Sequence, residues 1–149
     1  MKEILDMADI SRFESREGNL QCTPEALFRF VTDLRNFGQF VPGDSVTEWV
    51  ADADNCSFRV GMIGVVSVRI TEREPVTRVV FNGDALKKND FSLTVDINKS
   101  PEDKSIVRLL LEAELNPMLK MVAAKPVSQF LELLVSRMET FGDWSRTVS

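Results

Sequence analysis

Between residues 56 and 115 apolar side chains alternate with polar ones, which is the period of a half-buried β-strand. Four runs share this pattern, and short segments rich in Pro, Gly, Asn or Asp separate them. Such spacing predicts an antiparallel meander with one apolar and one polar face. The residues predicted on the apolar face are Cys56, Phe58, Val60 and Met62; Val66, Val68 and Ile70; Phe91, Leu93, Val95 and Ile97; and Val107, Leu109, Leu111 and Ala113.

Three further strands are predicted from weaker patterns. Val79 and Phe81 indicate a short strand, and the Asn82-Gly83-Asp84 run that follows is typical of a tight turn, so we expect the strand to end there. The segment 10–22 is predicted to form the first strand of the chain. The segment 45–51 is predicted to form another strand ahead of the meander.

Two short helices are expected between the first strand and the meander. Thr23 suits an N-cap, and Pro24 suits the first helical position. The apolar residues that follow recur at the helical spacing of three and four, and they are Leu27, Phe30, Val31 and Leu34. A second short helix is predicted over 33–41, with Asp33 as a local cap.

The segment 117–141 is predicted to be a long helix that covers the apolar face of the sheet. Its apolar stripe recurs at spacings of three and four and comprises Leu119, Ala123, Val127, Phe130, Leu134, Met138 and Phe141. Pro126 lies inside this stripe. Proline lacks a backbone donor and clashes with the preceding turn, so we expect a kink or break over 123–126.

The run from Cys22 to Pro42, CTPEALFRFVTDLRNFGQFVP, resembles the opening of the START-like and polyketide cyclase/dehydrase proteins of the helix-grip (SRPBCC) superfamily. The pattern is most similar to the branch that binds coenzyme Q. The resemblance implies an α+β, helix-grip fold: a curved antiparallel sheet of about six to seven strands around a long C-terminal helix, with two short helices after the first strand. We expect one such domain over 1–149, with 1–9 as a flexible segment before it.

The resemblance also implies a cavity between the sheet and the C-terminal helix that holds a lipid or another apolar molecule. Almost every inward position is apolar, so a guest there would be lipophilic. The same side chains could instead fill the interior as ordinary core. The implied cavity wall comprises Phe58, Val60, Met62, Val68, Ile70, Phe81, Phe91, Leu93, Val95, Leu109, Leu111, Met118, Met121, Val122, Phe130 and Leu134.

The composition argues against catalysis, because the chain contains no His and no Tyr. These are the ring-bearing donors that aromatic polyketide cyclases of this fold use, and His is also the commonest general base and metal ligand. Arg59, Arg69 and Arg108 fall on the predicted outer face of the sheet. Cys22 and Cys56 are expected to be reduced and buried. We therefore predict no catalytic residue, no metal site and no cofactor.

The function expected from these observations is the binding or carriage of a small lipophilic ligand without catalysis. A protein-interaction module acting on a larger assembly is the alternative, and a polyketide cyclase-like enzyme is a further one. In an enzyme that used a lysine, Lys125 would be the candidate. The net charge of −5 and the scattered basic residues argue against nucleic acid. We expect no stable membrane insertion and a cytoplasmic location, since no long apolar run or secretory signal appears.

Overall fold

The computed structural model describes residues 10–40, 43, 46–61, 64–85, 89–142 and 144. The predicted wall residue Met62 and the segment 1–9 lie outside these ranges. The helices are α1 (Pro24–Val31), a 3-10 helix (Leu34–Gln39) and α2 (Pro117–Thr140). The strands are β1 (Ile10–Glu14), β2 (Gly18–Leu20), β3 (Val46–Ala51), β4 (Asn55–Val60), β5 (Gly64–Glu74), β6 (Arg78–Ala85), β7 (Asn89–Lys99) and β8 (Ser105–Glu114).

The strands form one antiparallel sheet of eight strands in the order β1-β8-β7-β6-β5-β4-β3, with β2 also paired to β8. The predicted meander is confirmed, because β3 to β7 each pair with the next strand in sequence. Helix α2 packs against β1, β2 and β8. This arrangement confirms the predicted α+β, helix-grip fold, with somewhat more strands than expected.

The first predicted strand is two strands separated by a bulge. Glu14 pairs with Leu110 and Gly18 pairs with Val107. Between these two pairs the β1–β2 segment therefore has one more residue than β8. At the bulge the Leu109 N–H donates to Ser15 Oγ at 2.9 Å. The Arg16 side chain turns away from the sheet toward α2, where it donates to the Glu139 carboxylate at 2.8 Å. These contacts anchor the C-terminal half of α2 to the β1–β2 segment.

The turn predicted at Asn82-Gly83-Asp84 is wrong, because all three residues lie inside β6. Gly83 pairs with Val68 on one side and with Phe91 on the other. A Cβ atom at Gly83 would lie 2.8 Å from the Phe91 ring and would also clash with the Ser67 carbonyl. The glycine is therefore required by close packing within the sheet.

The two predicted short helices are confirmed, although the second is a 3-10 helix. Thr23 is the N-cap of α1, and its hydroxyl accepts from the Ala26 N–H at 3.2 Å. The Asp33 carboxylate caps the 3-10 helix by accepting from the Arg35 N–H at 3.0 Å. The Arg35 guanidinium also pairs with this carboxylate and holds its pKa below the usual range.

Helix α2 runs without interruption through Pro126, so of the kink or break expected over 123–126 the break is wrong, and the kink stays a prediction. Pro126 cannot donate to the Val122 carbonyl, one turn earlier. Both residues are exposed, and water can therefore satisfy that carbonyl. Solvation of that carbonyl lowers the cost of proline inside a helix, which is otherwise about 3 kcal/mol.

An aromatic cluster connects α1, the 3-10 helix and the end of α2. The Phe30 ring lies 5.0 Å from Trp144, 5.3 Å from Phe141 and 5.8 Å from Phe40, measured between ring centroids. Phe30 and Phe40 are each only 1% exposed. The cluster fastens the helices to one another, and the sequence patterns do not predict the part that Trp144 has in it.

Candidate functional site

The inner face of the sheet, which is the face toward α2, has a closed end and an open end. The closed end is where β8 begins, and two ladders of paired residues cross it. One ladder joins Val79, Val95 and Leu109, and the other joins Ile97 and Val107. All five side chains are at most 3% exposed. This part of the inner face is ordinary core.

The open end is where β8 finishes and α2 begins, and the side chains there are only half-buried. One ladder joins Ile70, Phe81, Leu93 and Leu111 across four strands. Phe81 alone of these is fully buried, because the 3-10 helix covers it: the Phe37 and Phe81 ring centroids are 5.4 Å apart. The other three side chains are half-buried, so the inner face is incompletely covered from this ladder outward.

The next ladder toward the open end joins Cys56, Val68, Gly83, Phe91 and Ala113. Apart from Cys56 and Gly83, its members are again only half-buried. The close approach of the Phe91 ring to Gly83 determines where this ring lies on the inner face. This ladder continues from Ala113 to the buried Ser11 of β1, and every other described side chain of the two ladders at the open end is apolar or a cysteine.

The first turns of α2 stand away from the sheet. Lys120 lies seven residues before Val127 and fourteen before Leu134, which places all three on the sheet-facing side of the helix. Leu134 is buried and Val127 is half-buried, whereas Lys120 is exposed. Exposure on the sheet-facing side means that open space separates the sheet from the start of α2.

We call this open region the groove. Its polar content is low, and a stacked pair lies toward its β3 edge, where the Trp49 and Phe58 ring centroids are 5.5 Å apart and the rings are inclined by 23°. The half-buried side chains that define the groove are Trp49, Phe58, Val60, Val68, Ile70, Phe91, Leu93, Leu111, Val127 and Phe130.

The predicted wall residues divide between the groove and the core. Phe81, Val95, Leu109 and Leu134 are fully buried, and they serve the packing of the interior. The predicted residues that lie in the groove are Phe58, Val60, Val68, Ile70, Phe91, Leu93, Leu111 and Phe130. Trp49, Val127 and Lys120 were missed as site residues, although Lys120 could have been found by extending the apolar stripe back by seven residues.

The assignment of Met118, Met121 and Val122 to the wall is wrong. These side chains are 76%, 82% and 70% exposed. At 100° per residue Met118 and Val122 lie on the side of α2 opposite Leu131 and Leu134, whereas Met121 lies at the edge of the sheet-facing side, about 40° from Val135. Met118 and Val122 therefore face solvent, and Met121 is exposed at that edge.

Few of the described residues near the groove have side chains suited to catalysis. Burial raises the pKa of the Cys56 thiol to about 12, so this sulfur is a protonated, weak nucleophile at neutral pH. Burial also raises the pKa of Cys22. Lys125 is exposed, and Arg59, Arg69 and Arg108 are exposed on the outer face, as predicted. Within the described ranges, no three potential metal ligands come together.

A depression of about 450 Å³ lies beside β3, β4 and β5. Its lining combines Ser57, Ser67 and Arg69 of the outer face with Cys56 and Val68 of the inner face. It is broad and open to solvent. It shares Val68 with the groove.

The order of elements, the antiparallel sheet and the long C-terminal helix define the chain as a protein of the helix-grip fold. No family model and no curated protein matches the sequence. Solved structures do match, and eight of them are 7–18% identical to this chain, so the likeness to these is one of fold.

Three of these structures illustrate the likeness. A protein from Chromobacterium violaceum is 16% identical, with a TM-score of 0.61 over 91% of this chain and 100% of that one. CalU16 from Micromonospora echinospora is 14% identical, with a TM-score of 0.54 over 88% and 87%. Norcoclaurine synthase from Thalictrum flavum is 8% identical, with a TM-score of 0.61 over 93% and 92%. No helix among the described residues is long and apolar enough to cross a membrane.

Proposed function

We propose that this chain binds a small lipophilic molecule in the groove and carries it without chemical change. The observation that supports this proposal is the contrast between the two ends of the inner face. Val95 and Leu109 at the closed end are fully buried, whereas Leu93 and Leu111 on the same two strands remain half-buried. The pairing register is continuous along these strands, so the difference comes from what covers them.

The half-buried side chains of the two ladders still expose apolar surface to water, and covering that surface is favourable. Burying a Leu, Ile, Val or Phe side chain contributes about 1.5–3 kcal/mol relative to leaving it exposed. The groove has several such side chains in contact with solvent, and a lipophilic guest would bury them. A guest of this kind is therefore attracted by the same effect that stabilises the closed end.

Carriage is favoured over catalysis by the side chains of the groove. The two ladders at its floor offer no ionisable group apart from Cys56, and burial keeps that thiol protonated. The similarity of the Cys22–Pro42 run to the coenzyme-Q-binding branch makes a molecule with a long apolar tail one candidate guest. Norcoclaurine synthase carries the name of an enzyme on this fold, and an enzymatic role here would need a catalytic group outside these ladders.

Replacing Leu111 with tryptophan is expected to weaken binding of a neutral apolar fluorophore such as N-phenyl-1-naphthylamine by at least about tenfold. The larger ring would occupy the groove and exclude the guest. The matched control is Leu110→Trp, because Leu110 is the next residue on β8 and projects from the opposite face of the sheet. Fluorescence titration measures both dissociation constants.

Equal affinities in the two variants would contradict the proposed site, because the probe would then be binding somewhere other than the inner face. Unfolding midpoints in urea, measured on the same samples, separate an occupied groove from a protein that has lost its fold.

A protein-interaction role is the second candidate, and the exposed Met118, Met121 and Val122 favour it. Exposed apolar clusters commonly mark contact surfaces. These three residues are few, however, since a stable protein interface takes about 20–30 residues from each partner. The groove is the larger apolar surface, and ligand carriage therefore ranks first.

A further inference from the structure

Lys120 is the charged side chain that the sheet-facing side of α2 presents at the mouth of the groove. It shares that side with Val127 and Leu134, which continue the line toward the closed end. The backbone N–H of Lys120 donates to the Asn116 carbonyl at 2.9 Å, so the residue belongs to the first turn of the helix. Its position along the helix is therefore well defined.

The Lys120 ammonium has no carboxylate partner among the described residues. Arg16 is paired with Glu132 and Glu139, and Arg78 with Asp96 at 2.8 Å. Arg29, Arg69 and Lys125 are like Lys120 in having no carboxylate partner among the described residues. Near the mouth, Glu112 is engaged by Arg12 at 3.0 Å. Within the described part of the chain, Lys120 is therefore available to an anion from outside the protein.

A polar group on the guest cannot lie on the floor of the groove. The half-buried side chains of the ladders supply no hydrogen-bond partner, and the Ser11 hydroxyl at the β1 end is itself buried. Burying an unpaired polar group costs about 1–3 kcal/mol in proteins. The polar end of an amphiphile must therefore remain at the mouth. Lys120 lies at this place, and the nearby amino end of α2 adds a positive dipole.

We propose that the groove takes an amphiphilic anion, with its apolar chain on the Leu93–Leu111 ladder and its carboxylate paired with Lys120. This inference rests on the proposed function, because it assumes that the groove binds a guest. It adds the chemical class of the guest, a long-chain carboxylate of the fatty-acid type. In addition, Lys120 makes the groove prefer a guest with a charged head group to one with a neutral head group.

The test compares a fluorescent fatty acid, cis-parinaric acid, with its methyl ester on the wild type, Lys120→Met and Lys125→Met. The quantity of interest is the ratio of the ester and acid dissociation constants, in low salt at pH 8. Lys125 is the matched control, because it lies on the outward side of the same helix. Both substitutions remove one positive charge and keep a helix-forming side chain.

Lys120→Met is expected to reduce the preference for the acid by about threefold, the effect of one solvent-accessible ion pair. Lys125→Met is expected to leave the ratio unchanged, and added salt is expected to reduce the wild-type preference. An unchanged ratio in Lys120→Met, or equal changes in both variants, would overturn the assignment of Lys120 while leaving the groove in place. A wild-type protein that binds neither compound would overturn the groove and this inference together.

Discussion

Replacing Phe30 with alanine is expected to lower the free energy of unfolding by about 3–5 kcal/mol. Phe30 is 1% exposed and contacts three other aromatic rings, at centroid separations of 5.0 to 5.8 Å. Truncation removes its apolar surface and leaves a cavity where α1, the 3-10 helix and the end of α2 meet. This loss is a large part of the 5–15 kcal/mol that stabilises a typical domain.

Urea unfolding followed by far-UV circular dichroism measures this change. Phe28→Ala is the matched control, because Phe28 lies on the same helix but is only partly buried. Its loss should be clearly smaller than that of Phe30→Ala. A Phe30→Ala variant that loses less than about 1 kcal/mol would mean that the aromatic cluster does not fasten the helices together.

Replacing Gly83 with alanine is expected to destabilise the protein by about 1–3 kcal/mol. The added Cβ would lie 2.8 Å from the Phe91 ring and too close to the Ser67 carbonyl. The carbonyl belongs to the backbone of β5 and cannot rotate away. The Phe91 ring would therefore have to move from its place on the inner face, or the β5–β6 pairing would have to widen.

Gly61→Ala is the control for this substitution, because a Cβ at Gly61 meets no atom of the described residues within 4 Å. Its stability should stay within about 0.5 kcal/mol of the wild type. Thermal or urea unfolding measures both variants. If Gly83→Ala were as stable as Gly61→Ala, the close approach of Phe91 to β6 would not be a requirement of the fold.

Strict alternation predicted the inner face of the sheet well. The positions expected to face inward on β7 and β8 do pair across the same face, as Leu93 does with Leu111 and Val95 with Leu109. Prediction succeeded here because one buried face specifies the register of a strand. It failed at Gly83, since a glycine that relieves a clash between strands has the same local sequence as a glycine that makes a turn.

The candidate site was predicted only in part. Alternation identifies which side chains point inward, and it contains no information on what covers them. Leu93 and Val95 have the same pattern, yet only Val95 is fully buried. The difference depends on where α2 approaches the sheet, which is decided by contacts distant in sequence, such as that between Arg16 and Glu139.

The error at Met118, Met121 and Val122 had a different origin. Methionines near a predicted cavity were assigned to its wall, although the helical period places Met118 and Val122 on the opposite side and Met121 only at the edge of the sheet-facing side. The same period places Lys120 at the mouth of the groove. Periodicity was therefore the more reliable guide along α2.

The most direct test of ligand carriage is mass spectrometry of freshly purified protein, once under native conditions and once after denaturation with organic extraction. We expect a discrete additional mass in the native spectrum that is released on denaturation, and we expect it to be lost in Phe130→Trp, in which the larger ring fills the groove. A native mass equal to that of the chain alone, together with no binding of apolar probes, would contradict the claim that the groove holds a lipophilic molecule.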